Sequence, residues 1–95
     1  MSERNKIPEV IDAYATVMRR NRIRVNISQE ELAHRAGLSL SFVSLLETGK
    51  RQPTISTIAG LCKAMDVSMT AFIQEMDIQL GNTPNLVDQV PPKSV

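Results

Sequence analysis

The chain carries its clearest structural pattern in Ser28-Gln-Glu-Glu-Leu-Ala-His-Arg-Ala-Gly-Leu-Ser-Leu-Ser-Phe-Val-Ser-Leu-Leu-Glu-Thr-Gly49. Ser28 and Glu31 have the S-x-x-E spacing of a capping box, in which each side chain satisfies a backbone N–H at the start of a helix. Ser39 is suited to cap a second helix. Gly37 stands between them, where the chain must leave a helix in the left-handed conformation that costs glycine least. The stretch therefore predicts two short helices hinged at Gly37.

Apolar residues beside the two caps indicate how the helices meet. Ile27 with Leu32, and Leu38 with Val43, flank the caps as hydrophobic staples. Only three or four residues remain between the helices, which is the spacing of a helix-turn-helix that presents its second helix to a DNA major groove. Residues 39–48 are therefore interpreted as a recognition helix.

At this point the chain resembles a known family. From about Ile11 to Phe72 it is similar to the phage repressor and Cro-like (Xre) DNA-binding domain. The residues that carry the resemblance are Ser28-Gln29, Leu32-Ala33, Gly37, Val43, Leu46-Glu47, Gly49-Lys50-Arg51 and Pro53. The resemblance implies an all-α, lambda-repressor-like domain of five helices that binds a palindromic operator in double-stranded DNA as a homodimer.

Further helix signals extend this architecture along the chain. Pro8 suits the first turn of a helix, Thr54 is placed to cap a fourth helix, and Ser68 is placed to cap a fifth. Asn26 and Asp66 stand where helices are expected to end, and both residue types tolerate the left-handed conformation. The pattern predicts five helices around one core.

Both ends of the chain are expected to be flexible. Residues 1–7 are polar, and residues 81–95 contain Pro84, Pro91 and Pro92 without helical or strand periodicity. The folded domain is therefore predicted over residues 8–80.

Composition limits the class of protein. The net charge is +1, but residues 1–53 carry +3 and residues 54–95 carry −2, an asymmetry that suits one face directed toward phosphate. No apolar run reaches the roughly 18 residues of a membrane span, and the first residues lack the apolar stretch of a secretory signal. Cys62 is the single cysteine, so no internal disulfide can form. These features predict a cytoplasmic protein.

The residues that most enzymes and metal sites use are scarce. His34 is the single histidine and Cys62 the single cysteine, whereas a metal site needs several such ligands. We expect His34 to be a solvated helix residue and Cys62 to be a buried small hydrophobe. The sequence therefore predicts no enzymatic activity, no metal and no cofactor.

Candidate phosphate contacts flank the second helix. The resemblance implies that Gln29 contacts a DNA phosphate and that Lys50 and Arg51 form a basic turn against the flanking backbone. The alternative for all three is a solvated surface residue.

The outward positions of the recognition helix depart from the chemistry that usually reads bases. The resemblance assigns the DNA-facing positions to Ser39, Leu40, Ser41, Ser44 and Leu45, with Phe42 near the DNA backbone. Arg, Gln and Asn, which read bases by paired hydrogen bonds, are absent there, while serine can bond to several bases and leucine can pack on a thymine methyl. Either recognition depends on apolar contact and DNA shape, or this face binds a protein partner.

Arg22 and Glu47 resemble an ion pair with which the family ties its first helix to the end of the recognition helix. A structural partner for Glu47 makes sense of an acidic residue so close to DNA. Arg19, Arg20 and Arg24 surround Arg22, and they either attract DNA at long range or form a solvated face.

The last helix has more apolar residues than a short terminal helix can hide in so small a core. We predict that some of them form a two-fold interface, and the candidates are Phe72, Ile73, Met76, Ile78 and Leu80. The sequence thus predicts a sequence-specific transcriptional regulator that acts as a homodimeric repressor. The alternative is an antitoxin or other protein-interaction module whose DNA binding is secondary.

Overall fold

The structure is a computed structural model, and it describes residues 2–81, with side chains from Pro8 onward. This part of the chain contains five α-helices and no strand, which confirms the predicted all-α fold. The helices are α1 (Ser2–Arg24), α2 (Gln29–Ala36), α3 (Leu40–Glu47), α4 (Ile55–Ala64) and α5 (Met69–Gln79). The tail predicted over residues 81–95 lies outside the described residues except for Gly81.

Four of the helices begin at the caps that the sequence predicts. The side-chain oxygens of Ser28, Ser39, Thr54 and Ser68 each accept a hydrogen bond from the backbone N–H three residues later, at 3.0–3.1 Å. The expected capping box is only half formed, because the carboxylate of Glu31 pairs with Arg35, one turn later on α2, at 2.9 Å. A salt bridge along the helix therefore replaces the second bond of the box.

The left-handed residues also lie where the sequence places them. Gly37 has a φ of 70°, and the N–H of Leu38 donates to the carbonyl of Ala33 at 2.9 Å, which closes the end of α2. Asn26 and Asp66 adopt φ values of 62° and 58° at the ends of α1 and α4. These turns set the directions in which α2, α3 and α5 leave the preceding elements.

The first helix is longer than the sequence analysis expects. Because α1 begins at Ser2, Pro8 lies inside the helix, and the prediction that Pro8 begins it is wrong. Proline inside a helix removes one hydrogen bond and crowds the carbonyl four residues earlier, but its φ is helical, so the preceding turns can still form at a cost in stability. Residues 2–7 include Glu3, Arg4 and Lys6, which are strong helix formers. Their predicted flexibility stays a prediction.

The core lies between α1 and the other four helices. α1 packs against α3 and α5, while α2 packs against α3 and α4. The ring centroids of Tyr14 and Phe72 are 5.9 Å apart, and the Tyr14 hydroxyl donates to Sδ of Met18 at 3.0 Å. Burial, followed by the nearby Cys62 and Glu47, raises the pKa of the Tyr14 hydroxyl. Among the described residues, the largest fully buried side chains are Tyr14, Val17, Met18, Asn21, Leu32, Val43, Leu46, Leu61, Met65 and Phe72.

Cys62 and His34 occupy the environments expected of them. Cys62 is buried on α4, and burial raises the pKa of its thiol to about 11, which keeps it protonated and unreactive near neutral pH. His34 is exposed on α2. Within residues 2–81, no helix is both long enough and apolar enough to cross a lipid bilayer.

Candidate nucleic-acid interface

The face of α3 that points away from the core is neutral and partly apolar. Val43 and Leu46 are buried against the other helices, so the opposite positions reach the surface. Leu40 is 47% exposed, and Ser41 is also exposed, while Ser44 and Leu45 are half-buried. The structure therefore places the predicted DNA-facing positions on one accessible side, with the cap residue Ser39 at its N-terminal edge. Glu47 is the only charged residue of α3.

Glu47, at the end of α3, is held by Arg22 of α1. Nε and Nη2 of Arg22 donate to the two carboxylate oxygens of Glu47, the second at 3.1 Å. The same guanidinium donates from Nη1 to the backbone carbonyl of Ile27 at 2.8 Å. The side chains of Arg22 and Glu47 are only 14% and 3% exposed. The structure thus brings the expected pair together, and the carboxylate of Glu47 is paired with a largely buried cation.

Gln29 is part of the same network. Its Nε2 donates to Oε1 of Glu47 at 3.0 Å, so the first residue of α2 is linked to the last residue of α3. A primary amide has two N–H groups. One of them donates to Glu47. The structure therefore gives Gln29 a structural contact that the sequence analysis did not predict, in addition to its proposed phosphate contact.

The basic turn after α3 is fixed by backbone geometry and by an aromatic ring. Gly49 has a φ of 74°, and an added Cβ there would lie 3.1 Å from Oδ1 of Asp12, so both conformation and space favour glycine. Lys50 is exposed, and its backbone N–H donates to the carbonyl of Leu45 at 2.9 Å. The Cζ atom of Arg51 lies 5.5 Å from the centroid of the Phe42 ring, a cation–π contact.

The predicted interface residues of α5 divide between the core and the surface. Phe72 is fully buried and Met76 is 9% exposed, so Phe72 cannot contact a partner and Met76 presents only its edge. Ile73, Ile78 and Leu80 are 43%, 49% and 39% exposed. The prediction that Phe72 lies in the interface is wrong, because the orientation of α5 directs Phe72 onto Tyr14 of α1.

Similarity to known proteins agrees with the helix arrangement described above. A family model described as Helix-turn-helix matches residues 18–72, more than half of the chain, from the middle of α1 into α5. The chain belongs to the helix-turn-helix family. This is a family of DNA-binding regulators and not a class of enzymes, and the match confirms the resemblance on which the sequence analysis relied.

One curated protein and several solved structures are similar to this helix-turn-helix chain. HTH-type transcriptional regulator y4dJ of Sinorhizobium fredii, itself described as uncharacterized, is 37% identical over 51 residues, which are 54% of this chain and 66% of that protein. The chain therefore spans just under two thirds of that relative.

The structural neighbours establish the fold. The wild-type restriction-modification controller protein C.Esp1396I is 22% identical, with a TM-score of 0.73 over 78% of this chain and 95% of that chain. The same controller, as a tetramer with its natural 35 base-pair operator, gives 22% identity and 0.72 over 77% and 96% of the two chains. The clp gene regulator ClgR from C. glutamicum gives 22% identity and 0.71 over 75% and 91%.

A second polar network joins α1 to α5 in this helix-turn-helix domain, and the sequence analysis missed it. Asn21 is 2% exposed, and its Nδ2 donates to the carbonyl of Val17 and to Oε1 of Glu75. Arg24 donates to Oδ1 of Asn21 at 2.6 Å and to Oε2 of Glu75 at 3.0 Å. Arg20 lies 3.8 Å from Oε2 of Glu75 and donates to Gln79. Arg20 and Arg24 therefore take part in a structural network, which neither expectation for them included.

One signal in the sequence pointed to this network. Asn21 lies at helical spacing from Val17 and Met18, so it falls on the apolar side of α1, where a polar residue needs a partner. Glu75, the partner of Asn21 on α5, had no comparable feature in the sequence. Burial raises the pKa of Glu75, but the hydrogen bonds from Asn21 and Arg24 and the charges of Arg24 and Arg20 outweigh burial and lower it.

Proposed function

We propose that this protein is a transcriptional regulator that binds a specific sequence of double-stranded DNA by inserting α3 into the major groove. The observation that carries the proposal is the accessible, uncharged face of α3, with Gln29 bonded to Glu47 at the end of this helix and the basic turn of Lys50 and Arg51 directly after it. A helix that enters the major groove needs such a face for the bases and donors beside it for phosphate.

The site divides the work between phosphate contacts and base contacts. Gln29, Lys50 and Arg51 bind the sugar–phosphate backbone and set the register of the protein. Ser41 and Ser44 accept or donate hydrogen bonds at base edges, and Leu40 and Leu45 pack against thymine methyl groups. Since leucine cannot form bidentate hydrogen bonds, DNA shape contributes a large share of the specificity.

The protein acts in the cytoplasm as a homodimer. Ile73, Ile78 and Leu80 leave apolar surface exposed on or just after α5, and Ile73, Met76 and Leu80 line one groove along this helix. Ile73 and Met76 also line a second groove with Val10 and Ile55, so the apolar surface around Ile73 extends toward α1 and α4. A two-fold axis at α5 places the α3 helices of the two protomers about 34–36 Å apart, which is one turn of the DNA helix. The matching operator is palindromic.

A repressor needs no domain beyond the one proposed here, because occupancy of a promoter is enough to block transcription. The DNA-bound controller C.Esp1396I, a protein of the same fold, occupies its operator as a tetramer. For this chain we propose only that more than one protomer binds the same operator.

The decisive experiment measures binding to the DNA upstream of the protein's own gene. Fluorescence anisotropy with overlapping duplexes should find one duplex bound at least about 10³-fold more tightly than the rest, the lower range of specific binders. Lys50→Ala should weaken binding to every duplex. Lys63→Ala is the matched control, because it removes the same charge from an exposed position on α4. Equal binding to all duplexes would contradict sequence-specific recognition.

A second function is favoured by one specific observation. Leu40 is 47% exposed on a face without Arg, Gln or Asn, a surface that also suits a protein partner. In that function the protein is an antitoxin or another interaction module, and DNA binding is secondary. A small toxin or restriction enzyme encoded by the neighbouring gene would favour this alternative.

A further inference from the structure

Arg51 and Phe42 form a contact that joins the basic turn to the recognition helix. Phe42 lies in the first turn of α3, where its N–H donates to the cap Ser39 at 3.1 Å. Its side chain is half-buried and packs against the core, which fixes the ring. The guanidinium of Arg51 lies over this ring, with Cζ 5.5 Å from the centroid, although Arg51 itself is exposed. An exposed side chain therefore lies over a ring that is packed against the core.

Contact with an aromatic face leaves the hydrogen-bonding capacity of arginine intact. The ring attracts the positive charge through its quadrupole, whereas the five N–H donors of a guanidinium lie at its edge and match the geometry of a phosphate. The contact also restricts a side chain whose ordering otherwise opposes binding. Lys50, the neighbouring cation, has no aromatic contact within the described part of the chain.

We infer that Phe42 is a positioning residue, which holds Arg51 where it contacts a DNA phosphate beside α3 and does not itself touch DNA. The inference rests on the proposed function, because it assumes that Arg51 binds phosphate. It changes the role of Phe42, which the sequence analysis placed among the DNA contacts. It also makes Arg51 and Lys50 unequal, since only Arg51 is held in place before binding.

A double-mutant cycle separates positioning from direct contact. The variants are Phe42→Leu, Arg51→Ala and their combination, and the probe is a 5′-labelled duplex of mixed sequence at low salt, so that no operator needs to be known. Phe42→Leu should weaken binding about 2–5-fold, the equivalent of an exposed cation–π contact of about 0.5–1 kcal/mol. In the Arg51→Ala background the same substitution should change the affinity by less than about 1.5-fold.

The matched cycle uses Lys50. Combining Phe42→Leu with Lys50→Ala should give the product of the two single effects, because Phe42 does not act through Lys50. If Phe42→Leu weakens binding equally with and without Arg51, Phe42 contacts DNA or acts only through the fold, and the inference is wrong. If the wild-type protein binds no duplex at low salt, the proposed function fails and the inference fails with it.

A structural readout keeps the inference testable if Phe42→Leu does not fold. Phe42→Tyr and Phe42→Trp keep an aromatic face and should retain the wild-type affinity within about 2-fold, since all three rings attract cations. In the free wild-type protein, the side-chain proton resonances of Arg51 should show an upfield ring-current shift that those of Lys50 lack. Random-coil shifts for Arg51 would overturn the inference without any DNA measurement.

Discussion

Asn21, buried on α1, donates a hydrogen bond of 2.8 Å to Oε1 of Glu75 on α5. The next residue along the same helix, Arg22, binds Glu47 at the end of α3. Two adjacent residues of α1 therefore hold the helix that we propose to read DNA and the helix that we propose to form the dimer. Because both pairs use charged or buried polar groups, a change at either pair leaves an unsatisfied group inside the protein.

The Arg22–Glu47 pair should contribute strongly to folding. Removing either partner leaves the other charge nearly buried and unpaired, which costs about 3–5 kcal/mol. We expect the double variant Arg22→Met/Glu47→Gln to lower the free energy of unfolding by less than the sum of the losses in the two single variants, because the second substitution removes a partner that is already unpaired. Chemical denaturation of the two single variants and the double variant measures this coupling. A coupling energy of zero would show that the contact has no energetic role.

The stability contributed by Glu75 should depend on pH. Its pKa is lowered in the folded state, so its ionised form is stabilised by folding. This contribution is fully present above the ordinary glutamate pKa of about 4.3 and is lost as pH falls through the lower folded value. We expect Glu75→Gln to destabilise the protein at pH 7 and to destabilise it less at a second, acidic pH below about 4.3, where the carboxylate begins to be protonated in the unfolded and then in the folded state.

Glu30→Gln is the control for Glu75→Gln, because it removes a carboxylate from an exposed position on α2. Denaturation curves of the three proteins at both pH values give the comparison. The interpretation of Glu75 is wrong if the difference between wild type and Glu75→Gln is the same at both pH values.

The parts of the fold that the sequence predicts are those that local rules determine. A cap such as Ser39 bonds to an N–H three residues away, and Gly37 takes its conformation from the turn that contains it. Such features require no knowledge of how helices pack. The contact between Arg22 and Glu47 spans 25 residues, and the resemblance to a known family suggested it.

The features that the sequence did not reveal depend on packing between distant segments. Asn21 and Glu75 are 54 residues apart, and they meet only because α1 and α5 cross at that point. In the same way, the rotation of α5 about its own axis decides that Phe72 is buried while the adjacent Ile73 is exposed. Apolar content alone could not separate these two residues, because the helix has apolar side chains on more than one side.

Self-association should depend on the exposed residues of α5. Ile73→Asp places a charge in the proposed interface and should convert dimers to monomers, whereas Ile23→Asp, at an exposed position on α1, should leave the dimer intact. Sedimentation velocity over a range of protein concentrations measures both. A wild-type protein that stays monomeric at high micromolar concentration, with and without DNA, would contradict the dimer.

The basic turn should contribute to DNA affinity in a salt-dependent way. Lys50→Ala should weaken binding to all duplexes and lower the slope of log K against log salt by about one, because one counterion fewer is released. Gln29→Ala should weaken binding with little change in slope, since an amide displaces no counterion. Titrations at several salt concentrations measure both quantities. If Lys50→Ala leaves affinity and slope unchanged, Lys50 is a solvated residue.

The leucines of α3 should read thymine methyl groups. Replacing the contacted thymines by uracil removes only the methyl and leaves base pairing intact, so each site should lose on the order of 1 kcal/mol of binding free energy. Leu45→Ala should cause a similar loss on the thymine duplex and almost none on the uracil duplex, because the two changes delete the same contact. Leu40→Ala should behave in the same way at its own site. Unchanged affinity after both replacements would mean that the leucines do not contact bases, and the exposed face of α3 would then be better explained as a surface for a protein partner.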